Sequence, residues 1–210
     1  MKKNCTEVVF VLDRSGSMCG LEKDTIGGFN SLINKQKKQD GEVLVSTVLF
    51  NDSSVVIHDR KPIDEVRLMT NKDYEVYGCT ALLDALGSSI RHIGNIHKYA
   101  RNEDVPEHTM FVIITDGMEN ASRYYSKERV KSMIEYEKEK YGWEFLFLAA
   151  NMDAIDTASQ YGIDKDHAVN YQCDSVGTRL NYEVLDEAIQ CICSGVPLSK
   201  SWKSKIEKRK

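Results

Sequence analysis

Residues 7–17 read EVVFVLDRSGS, and this stretch decides the fold. Its first six residues form an almost uninterrupted apolar run rich in β-branched side chains, which is typical of a strand buried on both faces of a sheet. Asp13, Ser15 and Ser17 then alternate along the loop that follows, and Gly16 permits that loop to curl. The stretch therefore predicts a central strand that ends in a cluster of oxygen-bearing side chains.

Apolar runs of the same kind recur and alternate with amphipathic segments. We predict strands over residues 7–12, 43–50, 54–58, 110–115, 144–150 and 168–171. We predict helices over residues 21–38, 81–100, 126–141, 153–161 and 178–193. Such alternation implies a doubly wound, three-layer, Rossmann-like α/β fold with a mostly parallel sheet and helices on both faces. Because only a short turn precedes it, segment 54–58 should be the one antiparallel edge strand.

Length and composition favour one domain followed by a basic tail. The chain has 210 residues, 41% of them hydrophobic, and its three prolines mark no linker. We therefore predict a single domain over residues 1–198 and a tail over 199–210. Residues 200–210 hold six basic side chains and only one acidic side chain, Glu207. A solvated, frayed terminus is the expected state of this tail, and contact with an anion or a partner is the alternative.

The overall charge and the cysteines narrow the class of protein. With 28 basic and 32 acidic side chains, the chain carries no electrostatic footprint for nucleic acid. No apolar run is long enough to span a bilayer, and no secretory signal is evident, so we expect a cytoplasmic protein without membrane contact. The six cysteines include no CxxC pair and no zinc spacing. Cys191 and Cys193 form a C-x-C that either binds metal or simply lies in a late helix.

Three predicted loops carry oxygen ligands to one edge of the sheet. In open α/β sheets, ligands bind beyond the carboxyl ends of the strands. The oxygen-bearing residues at that edge are Asp13, Ser15, Ser17, Thr80 and Asp116. Carboxylate and hydroxyl oxygens suit hard cations such as Mg²⁺, Mn²⁺ or Ca²⁺. These five side chains cannot complete a six-coordinate shell for Mg²⁺, so a position remains that an incoming anionic oxygen can fill.

This arrangement resembles the metal-ion-dependent adhesion site of von Willebrand factor A domains. A D-x-S-x-S motif over 13–17, then Thr80 at the start of a helix, then Asp116 after a strand fill all five positions of that site. VFVLDRSGSM, GCTALLDAL and FVIITDGMEN also carry the family's apolar and glycine pattern. The resemblance covers about residues 5–195. It implies a von Willebrand factor A fold, and a cation that binds a Glu or Asp of a protein ligand. In several members the last helix slides, which here would be segment 178–193.

The resemblance also implies a setting and a binding surface. We expect a stand-alone bacterial, intracellular domain whose partner is a protein presenting Asp or Glu, within an assembly that could contain an ATPase. Arg14, Met18, Glu119 and Asn120 flank the metal loops and are expected to form a rim that contacts the partner. The alternative for each of these four is an ordinary solvated loop residue. Asn151 and Asp153 follow another strand at the same edge, where capping of the next helix is the favoured role.

Two other functions stay open. One is a scaffold whose metal is structural and whose interface lies elsewhere, for example on the last helix and the basic tail. The other is a metal-dependent phosphatase resembling haloacid dehalogenases. That chemistry needs a second acid two residues after Asp13, where this chain has Ser15. Because no histidine stands out as a catalytic base and no P-loop occurs, we expect a binding module and not an enzyme.

Overall fold

The computed structural model describes residues 1–150 and 152–209, so the predicted cap at Asn151 lies outside the described residues. The strands are β1 (Lys2–Asp13), β2 (Glu42–Phe50), β3 (Ser54–Pro62), β4 (Pro106–Thr115), β5 (Glu144–Ala149) and β6 (Ala168–Asn170). The helices are α1 (Glu22–Gln36), α2 (Leu82–Tyr99), α3 (Lys127–Tyr141), α4 (Ala154–Gln160), α5 (Ser175–Cys193) and α6 (Ser204–Glu207). None of the helices described is both long and apolar enough to cross a membrane.

The six strands form one sheet in the order β3-β2-β1-β4-β5-β6. All neighbours are parallel except β3, which pairs antiparallel with β2 at the edge. The predicted fold class is therefore confirmed. From β1 the chain moves to β2 on one side and later returns to β4 on the other side, so the strand order reverses between β1 and β4. The loops after β1 and β4 diverge at this point, which is where a ligand site is expected.

Apolar cores cover both faces of the sheet. Along β1, Val8, Phe10 and Leu12 pack into a core with α1 and α5. Val9 and Val11 point to the opposite face and pack with α2, α3 and α4. Because successive side chains of a strand point to opposite faces, a strand covered on both sides needs apolar residues at every position. This explains the uninterrupted run that identified β1 in the sequence.

The ends of several elements differ from the prediction. β1 begins at Lys2 and β4 at Pro106, and these first residues pair with each other. The first three residues of β1 are exposed and polar, and β4 begins with a proline followed by half-buried polar residues, so neither beginning leaves a hydrophobic pattern in the sequence. α5 begins at Ser175, where the Asp174 side chain accepts a hydrogen bond from the Gly177 amide at 2.7 Å. Asp153 caps α4 in the same way, as predicted.

The prediction of a frayed C-terminal tail is wrong. A 3₁₀ turn over Lys200–Lys203 leads into α6, and Trp202 and Ile206 are 5% and 4% exposed. These two apolar side chains join the core beneath α5 and β6. Spaced four residues apart on a helical turn, they form an apolar face that a count of charges conceals.

Basic side chains fix this terminal segment in place. Lys203 is buried, and its Nζ donates hydrogen bonds to the carbonyl oxygens of Lys165 and Ala168, each at 2.8 Å. Arg209 donates two hydrogen bonds of 2.7 Å to the two carboxylate oxygens of Asp174, the residue that caps α5. We call residues 199–209 the C-terminal strap.

Candidate metal site

The loops after β1 and β4 bring the predicted ligands together. Asp13 is the last residue of β1, and Asp116 directly follows β4. Ser15 Oγ and Ser17 Oγ lie 3.0 Å apart, and Ser17 Oγ donates a hydrogen bond to Asp116 Oδ1 at 2.5 Å. The Ser15 amide donates to Asp13 Oδ1 at 2.7 Å. Four of the five predicted ligands are thus joined by direct contacts.

Thr80 completes the set beside Gly117. A Cβ atom built on Gly117 would lie 2.7 Å from Thr80 Oγ1, 3.1 Å from Ser17 Oγ and 3.5 Å from Ser15 Oγ. Three hydroxyl oxygens therefore converge on one point, which any larger side chain at position 117 would occupy. In the sequence, Gly117 stands out only as part of the segment FVIITDGMEN, which resembles the von Willebrand factor A pattern. The structure shows that it keeps open the space between the hydroxyl groups.

Asp13 is a buried carboxylate held by two hydrogen bonds. It is 1% exposed, and Thr115 Oγ1 donates to its Oδ2 at 2.6 Å while the Ser15 amide holds Oδ1. Burial raises the pKa of Asp13, the hydrogen bonds from Thr115 and Ser15 partly counteract that rise, and the nearby charge of Asp116 adds to it. A proton at Asp13 would therefore compete with any bound cation at higher pH than at an ordinary aspartate.

Asp116 is also buried, at 2% exposure, and it is held from both sides. Its Oδ1 accepts the hydrogen bond from Ser17, and its Oδ2 accepts one from Cys173 Sγ at 3.3 Å. Cys173 belongs to the loop between β6 and α5. The sequence gives no signal for Cys173 or for Thr115, because an isolated cysteine or a strand-ending threonine belongs to no motif.

The segment before Thr80 supports the first metal loop from outside. The Tyr74 hydroxyl, which is buried, donates a hydrogen bond to the carbonyl oxygen of Asp13. The Gly16 amide donates to the Gly78 carbonyl at 3.0 Å. Gly78 adopts a φ of +78°, a conformation in which a side chain would be strained and would also collide with the Asp52 carboxylate. These contacts fix the curl that the D-x-S-x-S motif requires.

Two of the four expected rim residues are not at the surface. Met18 is 2% exposed and packs in the core on the α1 side of the sheet. Arg14 is 7% exposed, its guanidinium donates a 3.5 Å hydrogen bond to the Asp73 carbonyl, and it lies over the ring of Tyr77. Both side chains turn inward from the loop, so neither forms part of an exposed rim, and contact of Arg14 or Met18 with a partner stays a prediction.

Glu119 and Asn120 do lie beside the site, but they brace its loops. Glu119 accepts hydrogen bonds from the amides of Leu83, Ala121 and Ser122 at 2.8–2.9 Å. Asn120 Oδ1 accepts one from the Thr80 amide at 2.9 Å, and the Asn120 amide donates back to the Thr80 carbonyl at 3.0 Å. Together they lock the loop after β4 onto the start of α2.

Other side chains are exposed around the hydroxyl cluster. Ser17 is itself exposed, and Met118, directly after Gly117, is 69% exposed. Tyr77 is 53% exposed and its amide donates to the carbonyl of Arg14. Exposed apolar side chains therefore lie beside the polar cluster at this edge of the sheet.

The donor chemistry of this cluster fits a hard divalent cation. It offers three neutral hydroxyls and two carboxylates, and every one of these donors is oxygen. Among the described residues no group of three His, Cys, Asp or Glu side chains is placed to hold a metal, so this cluster depends on its hydroxyls for three of its five donors. Cys191 and Cys193 lie on α5 as free thiols, in agreement with a helical role for the C-x-C.

Among the comparisons with known proteins, only similarity to solved structures identifies the fold. No protein-family model matches the chain, and no curated protein sequence matches it. Among solved structures, the von Willebrand factor domain of the type V pili tip protein Mfa5 from Porphyromonas gingivalis superposes with a TM-score of 0.66 at 10% identity, covering 92% of this chain and 97% of that one. The chain has the von Willebrand factor A fold.

Other proteins with the same fold are similar over most of this chain. Proximal thread matrix protein 1 from the mussel byssus was solved with zinc in its metal-ion-dependent adhesion site (MIDAS) motif. It has a TM-score of 0.60 and 15% identity over 90% of this chain. The ArnB paralog VWA2 from Sulfolobus acidocaldarius has a TM-score of 0.56 and 17% identity over 88% of it. This chain spans 47% and 45% of the length of those two proteins. The von Willebrand factor A fold thus also occurs as one part of longer chains.

Proposed function

We propose that this chain is a protein-binding module that captures an Asp or Glu carboxylate of a partner through a divalent cation. One observation carries the proposal: the hydroxyls of Ser15, Ser17 and Thr80 converge on a single open point beside Gly117, with Asp13 and Asp116 next to them. This is the donor set from which a hard cation could be held with a coordination position to spare.

The charge of the cluster favours an anionic ligand once a cation is bound. The three hydroxyls are neutral, and both carboxylates already accept hydrogen bonds from Thr115, Ser17 and Cys173. A cation held mainly through hydroxyls keeps much of its positive charge, because neutral donors do not cancel it. A carboxylate from a partner would supply the missing charge, and the exposed Met118 would add apolar contact.

The cation and the setting belong to the same proposal. We favour Mg²⁺, with Mn²⁺ or Ca²⁺ as alternatives, because the donors are all oxygen. The mussel protein named above has zinc at its MIDAS motif, so zinc should be included in any test. The proposed setting is a bacterial cytoplasmic assembly, which could contain an ATPase. The six free cysteines fit a reducing compartment.

We propose binding without catalysis. A phosphatase of the haloacid dehalogenase type would need an acid where Ser15 stands, and Ser15 instead contacts Ser17. His58 and His97, two buried or nearly buried histidines that could act as bases, hydrogen-bond to Thr47 and Glu7 away from the site. These contacts keep both histidines away from the metal cluster, which supports a site that holds a ligand.

The proposal is tested by thermal melting of wild type, Asp116→Ala and Asp116→Asn with Mg²⁺, Mn²⁺, Ca²⁺, Zn²⁺ or EDTA. We expect at least one cation to raise the melting temperature of the wild type and to leave both variants unchanged. An immobilised acidic peptide should then retain the wild type only with that cation, and a Gln-substituted peptide should not retain it.

The same measurements distinguish a metal-dependent binding module from a scaffold with a structural metal. A structural metal would stabilise the wild type without cation-dependent capture of the acidic peptide, and chelation would cost folding stability. In a binding module, Asp116→Asn keeps its fold in EDTA and loses only the cation response. A wild type that shows no response to any cation would contradict the proposal.

A further inference from the structure

A cavity of about 140 Å³ lies between the C-terminal ends of α2 and α3, at the opposite end of the sheet from the candidate metal site. Its wall includes His97 from α2, Glu137 from α3, Thr109 from β4 and Trp143 from the α3–β5 connection. At about 30 Å³ per water molecule in the liquid, this space holds a group of a few heavy atoms.

One wall of the cavity is a buried carboxylate with a free oxygen. Glu137 is 9% exposed, and within the described residues its Oε2 has no hydrogen-bond partner. Burial raises the pKa of Glu137, and the nearby His97 and Lys140 partly counteract that rise. A Cβ atom on Gly94 would lie 3.1 Å from the other oxygen, Oε1, so a residue without a side chain faces this carboxylate. Oε2 has almost no accessible surface, so a donor in the cavity reaches this carboxylate through Oε1, beside Gly94, which also lines the cavity. Leaving a buried carboxylate unsatisfied is costly, so such a donor is favoured.

The cationic side chains nearby are engaged elsewhere. Glu7, buried beside the cavity, accepts hydrogen bonds from Arg60 Nε at 2.7 Å and from His97 Nε2 at 2.6 Å. Lys98 and Met1 also line the cavity. Lys98 Nζ lies over the ring of Tyr99, and Lys140 Nζ donates to the Tyr136 hydroxyl at 2.6 Å. Glu7 is thus satisfied, whereas no lysine or arginine of the described residues forms an ion pair with Glu137.

The surroundings favour positive charge in this space. Both α2 and α3 end beside the cavity, and the C-terminal end of a helix carries the negative end of its dipole. Trp143, which is 4% exposed, supplies an aromatic wall, and such walls attract ammonium groups. We propose that this cavity binds an alkylammonium group, with the Glu137 carboxylate as the acceptor for its N–H donors.

An ammonium group has the right size and donor number for this cavity. It is compact and carries three donors on a narrow apolar stem, whereas a guanidinium is wider and planar. The alkylammonium can come from a free small amine or from a lysine side chain of a partner. The site is independent of the proposed function, because it shares no residue with the candidate metal site.

The test is an NMR titration of the full chain, read at the Trp143 indole N–H. The sequence has two tryptophans. The second, Trp202, lies on the C-terminal strap and its indole N–H donates to the Asp166 carbonyl, so its signal serves as an internal reference. The probes are propylammonium chloride, neutral 1-propanol, and Nα-acetyl-lysine methylamide for the side-chain source. Sodium chloride at equal concentration controls for ionic strength.

We expect propylammonium to shift the Trp143 signal saturably and 1-propanol to leave it unchanged. Glu137→Gln keeps the shape of the side chain and should weaken the response at least about tenfold, as a charge-assisted bond is lost. Gly94→Ala narrows the space beside Oε1 and should weaken it as well. A response to the lysine derivative that exceeds the response to propylammonium would identify a side chain as the source.

Three results would overturn the proposal. The first is the absence of a saturable shift up to roughly 100 mM propylammonium, a concentration well above the millimolar Kd of a weak complex. The second is an equal response to 1-propanol. The third is an unchanged response in Glu137→Gln. Asp116→Ala should leave the titration unaffected. This control separates failure of the ammonium site from failure of the metal site.

Discussion

The thiol of Cys173 donates a hydrogen bond to Asp116 Oδ2, with 3.3 Å between sulfur and oxygen. The next residue, Asp174, caps α5 through the Gly177 amide and pairs with Arg209 of the C-terminal strap. A continuous series of contacts therefore runs from a carboxylate of the candidate metal site, through the β6–α5 loop, to the end of the described chain. Helix α5 begins at the middle of this series.

Removing the thiol tests how much this contact orients Asp116. Cys173→Ala deletes the donor, and we expect cation affinity to fall about tenfold, the lower range for loss of a group that orients a ligand. Cys173→Ser keeps a donor of similar size and should retain most of the affinity. Calorimetric titration with Mn²⁺ or Mg²⁺ measures both variants. Equal affinities for Cys173→Ala and wild type would show that the contact does not orient Asp116.

Gly117→Ala should remove cation binding and keep the fold. Its Cβ would lie 2.7 Å from Thr80 Oγ1, so the Thr80 hydroxyl must rotate away from the other ligands. We expect loss of the cation-induced rise in melting temperature. Gly27→Ala is the matched control, because nothing lies within 4 Å of a Cβ there. Inside α1 it should add about 0.5–1 kcal/mol of stability and leave cation binding unchanged.

Cation affinity should fall as the pH decreases, beginning above the range of an ordinary aspartate. Burial raises the pKa of Asp13 above its usual 3.8, so protons occupy this carboxylate at higher pH and compete with the cation. Thr115→Val removes a hydrogen bond that favours the charged form, and should move the midpoint of the pH profile upward. It should also cost about 1–3 kcal/mol of stability, because a buried acceptor loses its donor. A midpoint that does not move would contradict this role for Thr115.

The strap should respond to acid through Asp174. Arg209, and then the Gly177 amide, lower the pKa of Asp174 from 3.8 to about 2. A carboxyl whose pKa is lower in the folded state contributes stability above its unfolded pKa and loses it as the pH falls through the folded value. We therefore expect the amide N–H signal of Gly177, which is bonded to Asp174, to shift between about pH 4 and pH 2. In Asp174→Asn this shift should be absent, because residue 174 no longer titrates.

Hydrophobic pattern predicted the sheet because buried parallel strands leave a strong trace. The apolar run that ends at Leu12 is an example, since both faces of β1 are covered. The polar first residues of β1 left no trace, and a count of charges concealed the apolar spacing of Trp202 and Ile206. In each case the deciding contact joins residues far apart in sequence, as Lys2 and Pro106 are joined.

The candidate metal site likewise contains residues that the sequence predicted and residues that it did not. The five oxygen ligands were predicted because their types and order follow a motif, and the structure brings them together. Thr115 and Cys173 act through contacts across 102 and 57 residues. Arg14 and Met18 were placed at the surface because they flank an exposed motif, but backbone direction within the curled loop turns both inward. Local sequence alone does not specify that direction.

Burial of the strap against β6 and α5 also bears on the order in which parts of the molecule open. Trp202 and Lys203 bond to carbonyls of Asp166, Lys165 and Ala168, so their partners exist only after β6 is in place. The reverse dependence does not hold for the central strands, which pair among themselves. Local opening should therefore begin at the strap, and its amides should exchange with solvent deuterium well before those of β1 and β4. The hydrogen-bonded amide of Gly177 should follow the strap in the sequence of exchange.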